Sequence, residues 1–118
     1  MLLTILKSKI HKAVVTETDI DYVGSITIDE DLMKASGLLP YELVHVWNIT
    51  NGNRLETYAI PGPAGSGVIC LNGAAAHLNR AGDRVIIASF AAMTPEELKS
   101  HKPTIVIVNH DNKVEKVI

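Results

Sequence analysis

The dipeptide Gly24-Ser25 places a hydroxyl nucleophile directly after a residue that has no side chain. Because glycine lacks a Cβ atom, the serine hydroxyl can approach the glycine carbonyl with little steric hindrance. Attack at that carbonyl would convert the amide into an ester, and elimination followed by hydrolysis would leave a pyruvoyl group at position 25. A Gly-Ser pair is also typical of an ordinary surface turn. The dipeptide therefore indicates self-cleavage only if other residues support it.

A second group of reactive side chains follows the turn sequence Asn51-Gly52. In a strand, successive side chains point to opposite faces, so Arg54 and Tyr58 would share one face and Thr57 would lie on the other. Arginine suits the bidentate capture of a carboxylate, and a tyrosine on the same face can deliver a proton. The alternative interpretation is a half-exposed hairpin with an ordinary polar face.

A run of small residues, Gly73-Ala74-Ala75-Ala76, follows Asn72 and predicts the start of a short helix. The first N–H groups of a helix have no partner within the helix, so they are open to an anion or an oxyanion. The alternative is a small-residue helix that packs closely against a sheet.

The histidines give little support for a metal site, and we predict none. None of them pairs at ligand spacing with another histidine or with the single cysteine; they are His11, His45, His77, His101 and His110. There is also no Walker A motif and no dinucleotide-binding fingerprint.

Composition predicts one domain, residues 1–118, with an aliphatic core. Hydrophobic residues make up 47% of the chain and aromatic residues only 4%. The net charge of −2 and the scattered basic residues argue against nucleic acid and membrane surfaces as partners. Cys70 has no partner for an intrachain disulfide and lies in an apolar run. With no apolar stretch of membrane-spanning length, we expect a cytoplasmic protein.

Short β-rich runs dominate the chain, and most have the length and the β-branched residues of strands. They are Leu2–Leu6, His11–Glu17, Ile26–Ile28, Glu42–Ile49, Arg54–Ile60, Val68–Leu71, Arg84–Phe90, Thr104–Val108 and Lys113–Val117. Asn51-Gly52 predicts a hairpin with a type I′ turn, and residues 109–112 predict a second turn. Short helices are expected after the N-cap Asp29, ending near Gly37, after Gly73, and after Thr94, which begins a capping-box pattern.

These elements predict a mainly β fold. Residues 32–47 and 75–90 both read as helix, turn and apolar strand, which suggests two related halves. Short strands and few helices favour a small closed β-barrel, because closure removes exposed sheet edges.

The order and spacing of the motifs resemble those of the pyruvoyl-dependent aspartate 1-decarboxylases. The matching residues span nearly the whole chain: Lys9-Ile10-His11, Val15-Thr16, Tyr22-Val23-Gly24-Ser25, Trp47-Asn48, Asn51-Gly52, Arg54, Thr57-Tyr58, Asn72-Gly73-Ala74-Ala75-Ala76, Gly82-Asp83 and Val85-Ile86-Ile87. Ser8 stands where the family has glycine, and Lys12 stands where arginine is common. The resemblance implies a six-stranded double-psi β-barrel with short capping helices.

The same resemblance implies a proenzyme that cleaves itself between Gly24 and Ser25. Residues 1–24 would form the β chain and residues 25–118 the α chain, which would begin with a pyruvoyl group made from Ser25. The pyruvoyl group would be the cofactor, and neither pyridoxal phosphate nor a metal is expected. The implied carboxy-lyase converts L-aspartate to β-alanine and CO2 for pantothenate and coenzyme A synthesis. The family forms homotetramers with active sites between subunits.

Residue roles also follow from the resemblance. The pyruvoyl group from Ser25 would form a Schiff base with the substrate, Tyr58 would donate a proton, and Thr57 would stabilise the oxyanion during cleavage. Substrate binding is expected from Lys9, Arg54, Thr57, Gly73, Ala74 and Ala75. Further pocket residues are His11, Tyr22, Trp47, Asn72 and Ile86.

Two other functions are compatible with the sequence. One is a β-barrel binding module that shares the fold but stays uncleaved, since one fold can host unrelated functions. The other is a cleaved pyruvoyl decarboxylase that acts on a different amino acid.

Overall fold

A computed structural model describes all residues from Met1 to Ile118. The fold is mainly β, with nine strands: β1 Leu3–Val14, β2 Glu17–Asp19, β3 Ile26–Asp29, β4 Leu43–Asn48, β5 Arg54–Gly62, β6 Ile69–Asn72, β7 Arg84–Met93, β8 Thr104–Val108 and β9 Val114–Val117. Helices are short: α1 Glu30–Ser36, a 3₁₀ helix Gly73–Leu78 and α2 Pro95–Leu98. The predicted mainly β class with few helices is confirmed.

The strands form one hydrogen-bonded sheet in the order β2-β6-β3-β5-β4-β7-β1-β8-β9. The end strands β2 and β9 pair with one neighbour each, so hydrogen bonds do not close the sheet as the predicted barrel requires. The chain is nevertheless compact, since its radius of gyration of 13.9 Å is close to the ~13.5 Å expected for a folded chain of this length. No helix is long and apolar enough to cross a membrane.

The N-terminal strand differs from its prediction. Leu3–Val14 is one strand, whereas the sequence predicted a break after Leu6. Its pairing with β7 shifts register between Leu6 and Ser8, where the buried Ser8 hydroxyl lies 2.7 Å from the Ser89 hydroxyl. Residues 7–9 are polar and interrupt the apolar pattern in the sequence. The Ser89 hydroxyl of β7 nevertheless gives the buried Ser8 hydroxyl a hydrogen-bond partner.

The predicted helix ends are confirmed. The Asp29 carboxylate accepts a hydrogen bond from the Asp31 N–H at 2.8 Å and caps α1. Gly37 caps the other end of the helix, and its φ of 75° lies in the left-handed region that glycine favours. Thr94 and Glu97 form the reciprocal capping box that starts α2.

The predicted hairpin around Asn51-Gly52 is present, but its turn type was wrong. β4 and β5 pair antiparallel up to Trp47 and Arg54. Only Gly52 in this turn has a positive φ, 80°, whereas a type I′ turn needs two such residues. Since Asn48 and Asn53 join through a backbone hydrogen bond of 2.8 Å, the connection is a longer loop.

The core is aliphatic, as the composition predicted, and contains no aromatic side chain. Ile10, Ile26 and Ile28 are completely buried, and burial of each such side chain stabilises the fold by roughly 1.5–3 kcal/mol. Ile26 pairs with Ala59 of β5 and with Leu71 of β6. The core therefore holds the start of β3 between β5 and β6, with Ser25 at the entrance to this three-stranded region.

Candidate active site

The Gly24-Ser25 bond lies in a tight turn that leads into β3. Gly24 has a φ of 66° and Ser25 a φ of 84°. The Gly24 N–H donates a hydrogen bond to the Tyr22 carbonyl at 2.8 Å, which closes the turn. A serine in this region of φ stores roughly 1–3 kcal/mol of backbone strain. The strain lies at the bond that the sequence identified as reactive.

Ser25 is held by the end of β6. It is only 2% exposed. The Asn72 side-chain Nδ2 donates hydrogen bonds to the Ser25 Oγ at 3.1 Å and to the Thr27 Oγ1 at 3.0 Å. The Asn72 backbone N–H donates to the Ser25 carbonyl at 2.9 Å. Asn72, a predicted pocket residue, therefore fixes both the backbone and the hydroxyl of Ser25.

Gly73 allows the turn to approach the 3₁₀ helix. A Cβ atom at position 73 would lie 2.8 Å from the Gly24 nitrogen and 3.0 Å from the Tyr22 carbonyl oxygen. Gly73 also has a positive φ of 62°. Only glycine meets both requirements without displacing the turn. The sequence predicted a substrate contact at Gly73, but it did not predict this packing against Gly24.

Tyr58 lies on the other side of the same turn. Its hydroxyl donates a hydrogen bond to the Val23 carbonyl at 3.1 Å. The side chain is 38% exposed, and its ring lies 6.5 Å from the ring of Tyr41. A broad depression of about 490 Å³ contacts Ser25 on this side and is lined partly by Tyr22, Tyr41 and Tyr58. The Tyr58 hydroxyl therefore lies beside the bond that precedes Gly24.

A second, smaller cleft of about 200 Å³ also contacts Ser25. Its lining includes Gly24, Ser25, Thr57, Asn72, Ala74 and Ala75. Exposure alternates along β5 as the strand pattern predicted, with Thr57 on the more buried face and Arg54 and Tyr58 on the exposed face. Thr57 makes no hydrogen bond to the Gly24 carbonyl in this structure, although both residues line the cleft.

The predicted cationic residues form no part of this cleft. Arg54 lies over the Trp47 ring, with its Cζ atom 4.8 Å from the ring centroid. Trp47 pairs with Ile86 of β7, and Lys9 of β1 pairs with Ala88 of the same strand. The fold thus places predicted site residues on two surfaces. Within one chain it brings Thr57, Tyr58 and Asn72 to Ser25, but not Arg54 or Lys9.

His11, another predicted pocket residue, is partly buried on β1. Burial, followed by the positive charges of Lys9 and Lys12, lowers the pKa of His11 below its ordinary value of 6.5. Its Nδ1 atom is buried and has no hydrogen-bond partner. These surroundings favour the neutral imidazole at neutral pH. No three His, Cys, Asp or Glu side chains are grouped so that they could hold a metal ion.

Sequence reasoning missed two neighbours of Asn72. Besides its contact with Thr27, Asn72 has an Oδ1 atom that lies 3.1 Å from the Cys70 Sγ. Thr27 and Cys70 are paired across β3 and β6. Strand alternation places Cys70 on the same face as Asn72, and Thr27 on the same face as Ser25, so the period-two pattern was the available signal.

Comparisons with known proteins support the resemblance independently of the motifs. The profile of the aspartate decarboxylase family matches residues 1–115. A curated aspartate 1-decarboxylase from Myxococcus xanthus is 59% identical over 93% of this chain and 85% of its own length. Its counterpart from Caldicellulosiruptor saccharolyticus is 58% identical over 99% and 91%, and that from Bacillus subtilis is 55% identical over 98% and 91%. The predicted family is confirmed: this chain belongs to the aspartate decarboxylase family.

Proposed function

We propose that the protein decarboxylates L-aspartate to β-alanine and CO2, after cleaving itself between Gly24 and Ser25 to generate a pyruvoyl group. The observation that carries this proposal is the buried Ser25 hydroxyl, held by Asn72 beside a strained Gly24 turn in a chain that matches the family throughout. The β-alanine serves pantothenate and coenzyme A synthesis in the cytoplasm. Mature protein consists of residues 1–24 and 25–118.

Cleavage begins with the Ser25 hydroxyl. Its Oγ bonds to the Gly24 carbonyl carbon, the C–N bond breaks, and the hydroxyl proton passes to the freed nitrogen, which leaves an ester. Removal of the Ser25 Cα proton then breaks the Cβ–Oγ bond, and Gly24 leaves as a carboxylate that retains this oxygen. Water hydrolyses the resulting enamine, by way of its imine, to a pyruvoyl group and ammonia.

Backbone strain alone is the smaller contribution to the first step. It contributes roughly 1–3 kcal/mol, whereas one well-placed oxyanion donor contributes roughly 3–4 kcal/mol. We assign that donor to Thr57, because it lines the cleft together with Gly24.

The residues around Ser25 fit a group made at this position, since the cleft adjoins the turn and the Tyr58 hydroxyl lies beside it. Once formed, the pyruvoyl group supplies an electrophilic carbonyl that takes up the substrate amine and withdraws electrons during CO2 loss. Tyr58 protonates the substrate carbon that loses CO2. The backbone of Gly73, Ala74 and Ala75 contacts the substrate at the start of the 3₁₀ helix.

Arg54 and Lys9 bind the substrate carboxylates, and we propose that they do so from a neighbouring protomer. The support is their position outside the cleft of their own chain, where Arg54 lies over Trp47 and Lys9 pairs with Ala88 of β7. Large apolar side chains beside Tyr58 are also exposed and suited to burial in a subunit interface, including Tyr41 and Leu43. The assembly is a homotetramer with active sites between subunits, in which His11, Tyr22, Trp47, Asn72 and Ile86 complete the pocket.

The finer fold assignment, a six-stranded double-psi β-barrel, is proposed on the same family membership. Its support is the pair of parallel contacts β1–β8 and β3–β5, which join strands that are not neighbours in sequence. Neither a metal nor pyridoxal phosphate is part of the proposed chemistry.

Denaturing mass spectrometry tests the proposal directly. We expect two chains with the masses of residues 1–24 and 25–118, the larger one shifted by reaction with hydrazine or borohydride. Incubation with L-aspartate should yield β-alanine, and glutamate should serve as the comparison substrate. A single chain of the encoded mass would instead support the uncleaved binding module, and a cleaved chain that prefers another amino acid would contradict aspartate as the substrate.

A further inference from the structure

Cys70 contacts the residue that holds the Ser25 hydroxyl. Its Sγ lies 3.1 Å from the Asn72 Oδ1, while the Asn72 Nδ2 lies 3.1 Å from the Ser25 Oγ. Cys70 is 6% exposed and Asn72 is 3% exposed, so both side chains are buried. The three side chains form one buried series across β6 and β3.

The amide of Asn72 has two ends with opposite hydrogen-bonding character. The hydroxyls of Ser25 and Thr27 can each donate or accept, so they do not decide which end of the amide faces them. The Cys70 S–H donates to the Asn72 Oδ1 at 3.1 Å, and only this oxygen end of the amide can accept it, because the NH2 group carries donors alone. Of these three neighbours, Cys70 is therefore the one that favours a single orientation.

The thiol keeps its proton at neutral pH. Burial, followed by the negative charges of Glu17 and Asp19, raises the pKa of Cys70 to about 11. An S–H group is therefore present to donate to the Asn72 Oδ1 under ordinary conditions.

We infer that Cys70 is a positioning residue for self-cleavage, and that its thiol directs the Asn72 Nδ2 toward the Ser25 Oγ. This inference rests on the proposed cleavage at Gly24-Ser25. With the amide in this orientation, an N–H supports the oxygen as negative charge develops on it when the Cβ–Oγ bond breaks. With the amide reversed, the Asn72 carbonyl oxygen would instead accept a hydrogen bond from the Ser25 hydroxyl and hold it back from attack.

The test compares Cys70→Ser with Cys70→Ala, which differ in a hydroxyl donor but little in size. Each proenzyme is purified rapidly, incubated at one temperature, and followed by mass spectrometry as the two chains appear. We expect Cys70→Ala to cleave about tenfold more slowly, as the loss of one buried hydrogen bond implies. Cys70→Ser should restore cleavage to within about threefold of the parent rate, because its hydroxyl also donates.

Cys70→Val is the second donor-free variant, and it fills the space that alanine leaves empty. Thermal unfolding shows whether Cys70→Ala or Cys70→Val keeps the stability of the parent chain. The cleavage rate of that variant is the one compared with the rate of Cys70→Ser. Equal slowing in Cys70→Ser and Cys70→Ala would overturn the inference in favour of simple packing, and so would a donor-free variant that cleaves at the parent rate. An uncut parent chain would overturn the proposed function as well, whereas the other two outcomes leave it standing.

Discussion

The Tyr58 hydroxyl donates a hydrogen bond of 3.1 Å to the Val23 carbonyl, so it ties β5 to the residue that precedes Gly24. In the uncleaved chain this contact holds one side of the strained turn, while Asn72 holds the other. Cleavage would free residue 24 from Ser25 and allow the end of the short chain to move. The hydroxyl that first supports the turn would then be available to the substrate.

Ser25→Ala should leave one uncut chain with no decarboxylase activity, because the hydroxyl is both the nucleophile and the source of the pyruvoyl carbonyl. A denaturing gel and a β-alanine assay measure the two effects. Ser100→Ala, at an exposed position, is the matched control and should cleave normally. Two bands for Ser25→Ala would refute the cleavage site.

Tyr58→Phe should still cleave but turn over slowly. Loss of a general acid lowers kcat by roughly 10²–10⁴-fold, whereas the lost contact to Val23 affects only one hydrogen bond of the turn. Tyr41→Phe is the control, since it removes a hydroxyl from the neighbouring ring. Normal β-alanine production by the cleaved Tyr58→Phe protein would remove Tyr58 as the proton donor.

Arg54→Ala should raise the KM for aspartate and leave cleavage intact. A charged hydrogen bond contributes about 1.5–3 kcal/mol, which corresponds to a KM increase of roughly 10- to 100-fold. Steady-state kinetics measure this change, and Arg80→Ala at another exposed position controls for the loss of surface charge. An unchanged KM would contradict the carboxylate-binding role.

Gly73→Ala should destabilise the proenzyme and slow its cleavage. The new Cβ would lie 2.8 Å from the Gly24 nitrogen, in addition to the strain of a φ of 62°. Gly37→Ala is a close control, because Gly37 has a φ of 75° but no atom within 4 Å of the added Cβ. Strain alone should cost about 1 kcal/mol, so urea unfolding should show a larger loss for Gly73→Ala. Equal losses and normal cleavage would argue against the close approach.

Stability should fall on acidification because of His11. Its pKa in the folded state is lowered, chiefly by burial and then by Lys9 and Lys12, so the unfolded chain binds a proton more readily. This contribution is fully present above the ordinary pKa of 6.5 and is lost as the pH falls below it.

Urea unfolding of the uncleaved Ser25→Ala chain measures this dependence without a mixture of species. Adding His11→Gln should flatten the pH profile near 6.5, whereas the exposed His110→Gln serves as the control. If the free energy of unfolding depends on pH just as steeply after His11→Gln, another group causes the sensitivity to acid.

Local signals made parts of the fold predictable. The Asp29 cap, the Gly37 helix end and the Thr94 capping box each depend on residues within a few positions of one another, and all three are confirmed. The continuity of β1 was missed because the Ser8 hydroxyl is satisfied by Ser89, which is 81 residues away. No local pattern reports such a partner.

The sequence by itself determined the chemistry of the residues and the family, since the motif types and their order need no knowledge of contacts. Only the tertiary structure decided which of them meet. Ser25 and Asn72 lie 47 residues apart, and their contact depends on the register of β3 with β6. The position of Arg54 over the Trp47 ring likewise depends on the pairing of β4 with β5. Long-range register is set by burial of the whole core, so a short segment does not contain it.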